Sequence, residues 1–566
     1  MGNQIIDFSE EKIKRLPAAE YAQVVMRLPA KRRMEAILDR ADAVAVVRSM
    51  PLQDFYMTVM EVGPDDALPL LSLASTEQWI HIFDMECWNK DRIVPGEGIA
   101  WLDRLARAGY EPLVQWLYNV EFFFLISMIK QWIRVVIRPD DIDLTEALDY
   151  LPPHTIDDQY FWECRYPQYE DLIRHVLSIL FETNYGYYKE IMEHAVYGLD
   201  AEMEEEAYRF HKGRLEDQAI PDYYDALTIY VPMEPSEVAR TKMRYLAAEP
   251  VMSPPSFAVV KLEESEDLFS RALGRIENKA VLEYIQLELA ALANKVIIAD
   301  RVRFQDSELL RECLDKVRAT LNLGLHILSR PGVNPSSAAQ ILMNVYLEHI
   351  FRVGLEPLKK LGRRARRLVE HGWIARCPLG MNILEPEWYE FVDLLCQPFP
   401  QLQRHVPGRA PFPDFFRRPS EVSEAQERLD TVLCMGIILD SIEVPWQELT
   451  ENLWREGHYA SIEDVTVSVL LFTAAAHSLV HEKPRFTARP IPVADWEKIF
   501  PLLHPDALIP HIRTWLSINV QGEQWQKHVN SYIQSIINAY LEEMGPFYRR
   551  GETPDPRWVK FFLFTQ

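Results

Sequence analysis

The residues with the most obvious capacity for metal chemistry are two histidines and three glutamates on two predicted helices. They are His175, Glu182, Glu190, Glu193 and His194. Carboxylate and imidazole groups that face one another in a helical bundle can hold iron or manganese. The usual Glu-x-x-His pairing is missing, because Glu190 and His194 are four residues apart. Surface carboxylates and a core or capping histidine explain the same residues. The sequence therefore predicts no metal and no cofactor, with this site kept as the alternative.

Two further histidines, His477 and His481, stand one helical turn apart and could share a metal on one helix face. No third ligand is identifiable, so packing and helix-end roles are the better interpretation. Phosphate-binding chemistry also lacks its motif, since Gly96 and Gly98 are followed by Trp101 where a third glycine is needed. There is no Walker loop, serine nucleophile elbow, zinc-protease helix or EF-hand. No catalytic residue is predicted.

A basic segment, LKKLGRRARRLVEH, is the clearest local anomaly. Its six cations within nine residues are Lys359, Lys360, Arg363, Arg364, Arg366 and Arg367. On a helix such charges can bind an acidic partner, an acidic face of the same chain, RNA or lipid headgroups. Internal neutralisation, for instance by the run Glu202, Glu204, Glu205 and Glu206, and a simple solvated face are the alternatives. Within that run, Glu205 and Arg209 have the spacing of an intrahelical ion pair.

The helices that carry these residues belong to a long acidic chain. It has 566 residues, 60 basic and 84 acidic side chains and a net charge of −24, with 48% hydrophobic residues. This composition excludes wholesale disorder, and the length predicts about four domains. The charge opposes binding of nucleic acid or anionic lipid. Six cysteines without a CxxC pair, no signal peptide and no stretch long enough to span a membrane indicate a cytoplasmic protein.

The first 85 residues repeat a short helical unit. Helix starts are predicted at Pro17, Pro29, Ala41, Pro51, Pro64 and Thr76, which are 10 to 13 residues apart. Proline at the first helical position presets φ and ends the preceding helix. Helices of about ten residues are marginal alone and must pack on their neighbours. The repeat therefore predicts a stack of short helices.

The complete pattern predicts an all-α protein. The predicted domains are a short-helix superhelical repeat domain (1–145), a helical domain (146–232), a proline-rich linker (233–262), a helical domain with the basic helix (263–396), a loop rich in proline and phenylalanine (397–420) and a C-terminal helical domain with a docked aromatic tail (421–566).

Two resemblances add to this reading. LPAAEYAQVVMRLPAKRRMEAILDR and SMPLQDFYMTVMEVGPDDALPLL resemble the short-helix superhelix at the cytoplasmic N-terminus of bacterial magnesium transporters, and are similar to the middle domain of the flagellar motor switch protein. This likeness covers about residues 10–145 and implies a surface for contacts between proteins or domains. The whole chain, with AYRFHKGRLEDQAIPDYYDALTIYVPM and DPRWVKFFLF, resembles a bacterial family of unknown function. That implies a bacterial cytoplasmic protein.

The function predicted from these observations is a cytoplasmic scaffold or adaptor that binds protein partners. Stacked short helices expose a long continuous surface, which is how solenoid proteins bind. The alternative is a metal-dependent helical-bundle enzyme that uses the carboxylates and histidines of residues 175–194. Nucleic-acid binding ranks third.

Overall fold

A computed structural model describes residues 15–144, 149–241, 267–303, 306–406, 408–449, 464–520 and 522–565. The all-α prediction is confirmed, with 69% helix and 6% strand. The chain forms two compact units. Unit 1 comprises Met1–Val231, Val238–Leu321 and Leu328–Arg352, and unit 2 comprises Pro232–Glu237, Asn322–Ile327 and Val353–Gln566. Residues 242–262 of the predicted linker lie outside the described residues, and the predicted domain boundaries stay predictions.

Unit 1 opens with short helices, as the repeat predicts. They are α1 (Ala18–Val25), α2 (Ala30–Leu38), α3 (Ala43–Ser49), α4 (Leu52–Val62), α5 (Leu68–Leu71) and α6 (Thr76–Glu86). Three of these helices begin one residue later than predicted, directly after Pro17, Pro29 and Pro51. These prolines are therefore N-cap residues, with φ between −54° and −53°. Their carbonyls accept the first helical hydrogen bonds, for example from Tyr21 N at 2.9 Å. The fifth helix begins at Leu68 rather than Pro64.

The rest of unit 1 combines further helices of various lengths with small sheets. The helices are α7 (Pro95–Ala108), α8 (Tyr110–Asn119), α9 (Phe122–Trp132), α10 (Glu170–Thr183), α11 (Tyr185–Tyr197), α12 (Asp200–Asp217), α13 (Tyr223–Leu227), α15 (Leu268–Leu273), α16 (Lys279–Ala299) and α18 (Pro335–Asn344). A short helix, α14 (Pro235–Val238), precedes α15 in the chain. Three helices, α14, α17 (Ser307–Leu328) and α19 (Leu347–His371), contribute residues to both units.

A three-stranded antiparallel sheet interrupts the helices where the sequence predicted only helix. Its strands are β3 (Ile133–Ile137), β4 (His154–Thr155) and β5 (Tyr160–Cys164), with β5 in the centre. Ile133 pairs with Cys164 and Ile137 with Tyr160. The runs IRVVI and YFWEC are β-branched and aromatic, a composition that favours strands. The two-stranded hairpin β1 (Trp88–Asn89) and β2 (Arg92–Ile93) also belongs to unit 1.

One buried amide pair connects distant segments of unit 1. Gln53 on α4 donates from Nε2 to Oδ1 of Asn294 on α16 at 2.8 Å. Asn294 Nδ2 donates back to Gln53 Oε1 at 3.3 Å and also to the Ala219 carbonyl at 3.2 Å. Both side chains are at most 3% exposed. Because buried amides without partners are costly, this reciprocal pairing fixes α4 against α16.

Unit 2 packs its helices around one apolar core. The helices are α20 (Trp373–Arg376), α21 (Pro386–Cys396), α22 (Pro419–Asp440), α23 (Val467–Val480), α24 (Trp496–Ile499), α25 (Pro505–Asn519) and α26 (Glu523–Arg550). The segment rich in proline and phenylalanine forms a hairpin of β6 (Leu402–Arg404) and β7 (Phe412–Asp414). The helix α23 is buried along most of its length, which explains why its sequence is apolar on all sides.

The C-terminal tail adds a strand and several aromatic rings to unit 2. The strand β9 (Phe564–Thr565) pairs in parallel with β8 (Ile491–Pro492). Leu563 N donates to Thr473 Oγ1 of α23 at 2.9 Å, a buried hydrogen bond. Phe561 and Phe562 are at most 9% exposed, whereas Trp558 is 78% exposed. The tail is therefore bound to the core through its last residues and not through Trp558.

No single helix among the described residues is long and apolar enough to cross a membrane. The helices α8 and α9 together reach that length and composition, but they bend by 113° where they meet.

Gly436 on α22 allows close packing against Trp373. A Cβ at this position would lie 2.3 Å from Trp373 Cγ. We expect Gly436→Ala to lower the free energy of unfolding by about 1–3 kcal/mol through overpacking, measured by urea denaturation. Gly213 on α12 is the control, because nothing lies within 4 Å of its added Cβ. Gly213→Ala should raise stability by about 0.5–1 kcal/mol. A neutral Gly436→Ala variant would contradict the packing.

Candidate protein-contact site

The alternative metal site of the sequence does not assemble. In the part of the chain that the structure describes, no group of three or more His, Cys, Asp or Glu side chains is placed to hold a metal ion. His175, Glu182 and Glu190 are exposed. Glu193 lies 3.7 Å from Lys189 Nζ, and His194 Nδ1 donates to the Glu190 carbonyl at 2.9 Å. These contacts match the surface and capping roles of such residues.

The basic segment forms the second half of α19 and is partly neutralised within unit 2. Lys360 pairs with Glu356 at 2.6 Å and with Glu234 at 3.1 Å, and Arg364 pairs with Asp430. These acidic partners are not the run at 202–206 that the sequence suggested. Exposed ion pairs of this kind contribute little to stability, because water screens the two charges.

Two other cations of the basic segment bind backbone carbonyls. Arg366 Nη1 donates to the carbonyls of Cys396 and Gln397 at 3.2 and 3.3 Å, and Lys359 Nζ donates to that of Pro398 at 3.3 Å. These carbonyls lie at or just beyond the C-terminus of α21, where cations are favourable. Arg363 and Arg367, one turn apart, are exposed and have no hydrogen bond or ion pair within the described ranges. Among the six cations of the basic segment, Arg363 and Arg367 are therefore the two with neither a hydrogen bond nor an ion pair in the described part of the chain.

An acidic groove in unit 1 gathers several residues that the sequence singled out for other roles. The groove has a volume of about 790 Å³ and lies where α11 turns into α12. The turn consists of Gly198 and Leu199. A Cβ on Gly198 would lie 2.6 Å from the His194 carbonyl oxygen and 2.7 Å from Met203 Sδ, so the tight turn requires glycine. Lys130 of α9 fixes the turn by donating to the Gly198 carbonyl at 2.5 Å.

The charges that line this groove are all negative. They belong to Glu193, Glu202, Glu205 and Glu206, while neither lysine nor arginine lines it. Glu206 pairs with Arg209 at 3.2 Å, so the predicted Glu205–Arg209 pair is replaced by its neighbour. Glu202 and Glu205 have no ion pair or hydrogen bond among the described side chains. Two carboxylates one turn apart on α12 therefore present uncompensated negative charge to the groove.

Apolar side chains complete the groove. Tyr197 and Leu199 are 72% and 63% exposed, and Phe123 of α9 also lines it. His194 stands edge-on to Phe122, with ring centroids 5.6 Å apart. Large exposed apolar groups beside charges are typical of protein-contact sites. Sequence reasoning missed Tyr197 and Leu199, although their position on either side of Gly198, between two helix patterns, was a usable signal.

The fold and this site define a helical protein of two compact units with an acidic groove on the first. The chain belongs to a family of unknown function, DUF6178, whose model matches residues 10–565. None of the curated proteins matches the chain significantly, and no solved structure does. These comparisons do not show the likeness of residues 10–145 to magnesium transporters or to the flagellar switch protein.

Proposed function

We propose that this protein is a scaffold or adaptor that binds a basic segment of a partner protein in the acidic groove of unit 1. The observation that carries the proposal is the coincidence of two unpaired glutamates, Glu202 and Glu205, with the exposed side chains of Tyr197 and Leu199 in one concave surface. Lysine and arginine of the partner would meet the carboxylates, and its apolar side chains would cover the tyrosine and the leucine.

Electrostatics favours this choice of partner. The net charge of −24 attracts basic molecules at long range, and the groove concentrates the same sign at short range. Charge complementarity of this kind sets the association rate and the specificity, while the apolar contacts supply affinity. An acidic or neutral peptide would leave both unpaired glutamates without a partner.

Other parts of the hypothesis belong to this proposal. They are the superhelical stacking of the N-terminal helices, the cytoplasmic location in a bacterium, and a role for the basic helix in partner binding. Within that helix, Arg363 and Arg367 are the residues available to an acidic partner, since the other four cations have contacts inside unit 2.

The proposal is tested with two synthetic peptides of the same apolar pattern, one carrying lysines and the other glutamates at the polar positions. We expect the full-length protein to bind the lysine peptide. The double variant Glu202→Lys/Glu205→Lys should bind it at least about tenfold more weakly. Fluorescence anisotropy at two salt concentrations measures both affinities, and binding should weaken as the salt concentration rises.

Charge reversal on the same helix outside the groove provides the control. Asp217 is exposed at the end of α12 and does not line the groove. Asp217→Lys should retain the affinity of the unaltered protein. Equal loss in this control would assign binding to the net charge, and unchanged binding by the double variant would refute the groove.

A cellular experiment tests the same site with natural partners. A photo-crosslinking amino acid at position 197 should capture a protein through a lysine- or arginine-rich segment, and capture should disappear with Glu202→Lys/Glu205→Lys. Capture through an acidic segment, or capture that survives the double substitution, contradicts the proposal.

A further inference from the structure

Unit 1 contains a second concavity, distinct from the acidic groove. This cleft has a volume of about 680 Å³. Its walls are the C-terminus of α6, the β1–β2 hairpin, the second half of α12, the start of α13 and the segment that follows α16. Clefts of a few hundred Å³ with a small number of placed polar groups are typical of small-molecule sites.

A histidine with one free nitrogen forms the inner part of the cleft. His211 of α12 is 5% exposed, and its Nδ1 lies 3.1 Å from Oδ1 of Asp84. Burial alone raises the pKa of Asp84, but the hydrogen bonds and charges of Arg214 and His211 outweigh it and hold that pKa below 3.8. The carboxylate is thus ionised and can only accept a hydrogen bond, so the proton of His211 lies on Nδ1. In the neutral imidazole, Nε2 is then an acceptor.

This acceptor is held in position but not used. Trp88 stacks on the His211 ring with centroids 4.4 Å apart and an interplanar angle of 16°. Phe124 lies against the Trp88 ring, with centroids 5.7 Å apart, and so fixes the ring plane. Arg214 donates two hydrogen bonds of 2.7 Å to Asp84, which holds the carboxylate. Within the described ranges, Nε2 of His211 has no hydrogen-bond partner, and the residue lines the cleft.

Three cations stand at the rim of the cleft. Lys90, Arg301 and Arg303 line it, and in the described part of the chain none of them pairs with a carboxylate. Lys90 is presented by the β1–β2 turn with a left-handed φ of 60°, a conformation that is unfavourable for a lysine. Arg301 lies 4.7 Å from the centre of the Tyr223 ring and donates to its hydroxyl group at 2.9 Å.

The described lining of the cleft also holds one further cation and four carboxylates. Lys212 pairs with Asp225 and Glu216 at 3.5 and 3.7 Å. Asp222 accepts from the Tyr208 hydroxyl at 2.7 Å, and Glu86 accepts from that of Tyr56 at 2.5 Å. Of the lining carboxylates, Glu97 alone has no partner among the described residues. A hydrogen bond from a tyrosine hydroxyl leaves a carboxylate charged, so the lining charges balance in number. What distinguishes Lys90, Arg301 and Arg303 is that no carboxylate among the described residues is bound to them.

We propose that this cleft binds a small organic anion whose phosphate or carboxylate group is held by Lys90, Arg301 and Arg303, and whose hydroxyl group donates to Nε2 of His211. An Asp–His–Arg cluster with a purely structural role accounts for the burial of Asp84. It does not account for an unused acceptor that faces a cleft or for unpaired cations at the rim. Three cations in a cleft fit a small anion better than a polymer, because the chain as a whole repels polyanions.

Calorimetry of the full chain with two probes tests the proposal. Citrate and ribose 5-phosphate both carry hydroxyl groups, and they distinguish a carboxylate from a phosphate as the anionic group. We expect at least one to bind, and ribose, which is neutral, not to bind. Lys90→Ala/Arg303→Ala should weaken binding by about tenfold or more. Arg311→Ala, an exposed arginine outside the cleft, should leave the affinity unchanged.

The role of His211 is tested by removing the hydroxyl group of the ligand, and not only by substituting this buried residue. Tricarballylate is citrate without its hydroxyl group, and it should bind about tenfold more weakly than citrate if the hydroxyl donates to Nε2. For ribose 5-phosphate, 2-deoxyribose 5-phosphate serves the same purpose, because it keeps the phosphate and lacks one hydroxyl group. His211→Gln should abolish the preference for the hydroxyl. Absence of binding by both anions at millimolar concentration, or equal binding by Lys90→Ala/Arg303→Ala, overturns the proposal.

Discussion

Replacement of Phe562 by alanine is expected to lower the free energy of unfolding of unit 2 by about 3–5 kcal/mol, the usual cost of a cavity the size of a phenylalanine ring. The ring is 4% exposed. It packs against Phe472, Trp496 and Tyr540, with ring centroids 5.6 to 6.3 Å apart. Because the tail also contributes a strand to unit 2, the cavity should loosen the pairing of β9 with β8. Urea denaturation measures the first effect, and hydrogen exchange of the Ile491 amide, which donates to the Leu563 carbonyl at 2.8 Å, measures the second.

The same tail offers a matched control. Trp558 is an aromatic residue of similar size that is 78% exposed. Trp558→Ala should change stability by no more than about 0.5 kcal/mol. If both variants lose the same stability, the tail is not bound to the core as the structure shows it.

Replacement of Asp84 by asparagine is expected to destabilise unit 1 by about 3 kcal/mol. The carboxylate is 4% exposed and accepts three hydrogen bonds, two from Arg214 and one from His211. Removing one member of a buried ion pair leaves the other uncompensated, at a cost of about 3–5 kcal/mol. The lower end applies, since Arg214 keeps 31% of its side chain exposed and can bind water.

Asp65 is the control for this substitution. It pairs with Arg104 and Arg107 at 3.1 and 3.0 Å but is 58% exposed. Asp65→Asn should cost no more than about 1 kcal/mol, as for other exposed ion pairs. Chemical denaturation of both variants gives the comparison. A neutral Asp84→Asn variant, or an equal loss for Asp65→Asn, would contradict the structural role of the buried pair.

The pH dependence supplies a second measurement on the same cluster. Since the pKa of Asp84 is depressed, its contribution to stability is present above pH 3.8 and is lost as the pH falls through the folded value. Asp84→Asn should remove this acid dependence. Burial lowers the pKa of His81 from 6.5 to about 4. The unfolded chain therefore binds more protons at His81 between these values, and both proteins should lose stability as the pH falls from 6.5 to 4.

The sequence predicts the positions of many helices and does not predict the strands. Local signals such as Pro17, Pro29 and Pro51 predict helix starts because proline acts on its own backbone. The strands Ile133–Ile137 and Tyr160–Cys164 meet through a pairing some 27 residues apart, which helical periodicity does not report. A β-branched or aromatic run between helical patterns is predicted as helix because only its neighbours in the chain are considered, and this prediction is wrong for these two strands.

The candidate sites were predictable only in part, for a similar reason. Glu202, Glu205 and His194 were singled out as charges and ligands, but their meeting with Tyr197 in a groove depends on a two-residue turn. The pair of Asp84 and His211 joins residues 127 apart in the chain and follows no motif. Which nitrogen of His211 is free depends on the ionisation of Asp84, and burial and neighbouring charges determine that property.

The amide pair between Gln53 and Asn294 can form only late in translation. These residues are 241 positions apart. At roughly 5–20 residues per second, the ribosome therefore adds Asn294 about 10–50 s after Gln53. During translation, the Gln53 amide of α4 is without this partner until α16 has been synthesised. Chaperone dependence of the nascent chain should therefore be strongest before α16 leaves the exit tunnel.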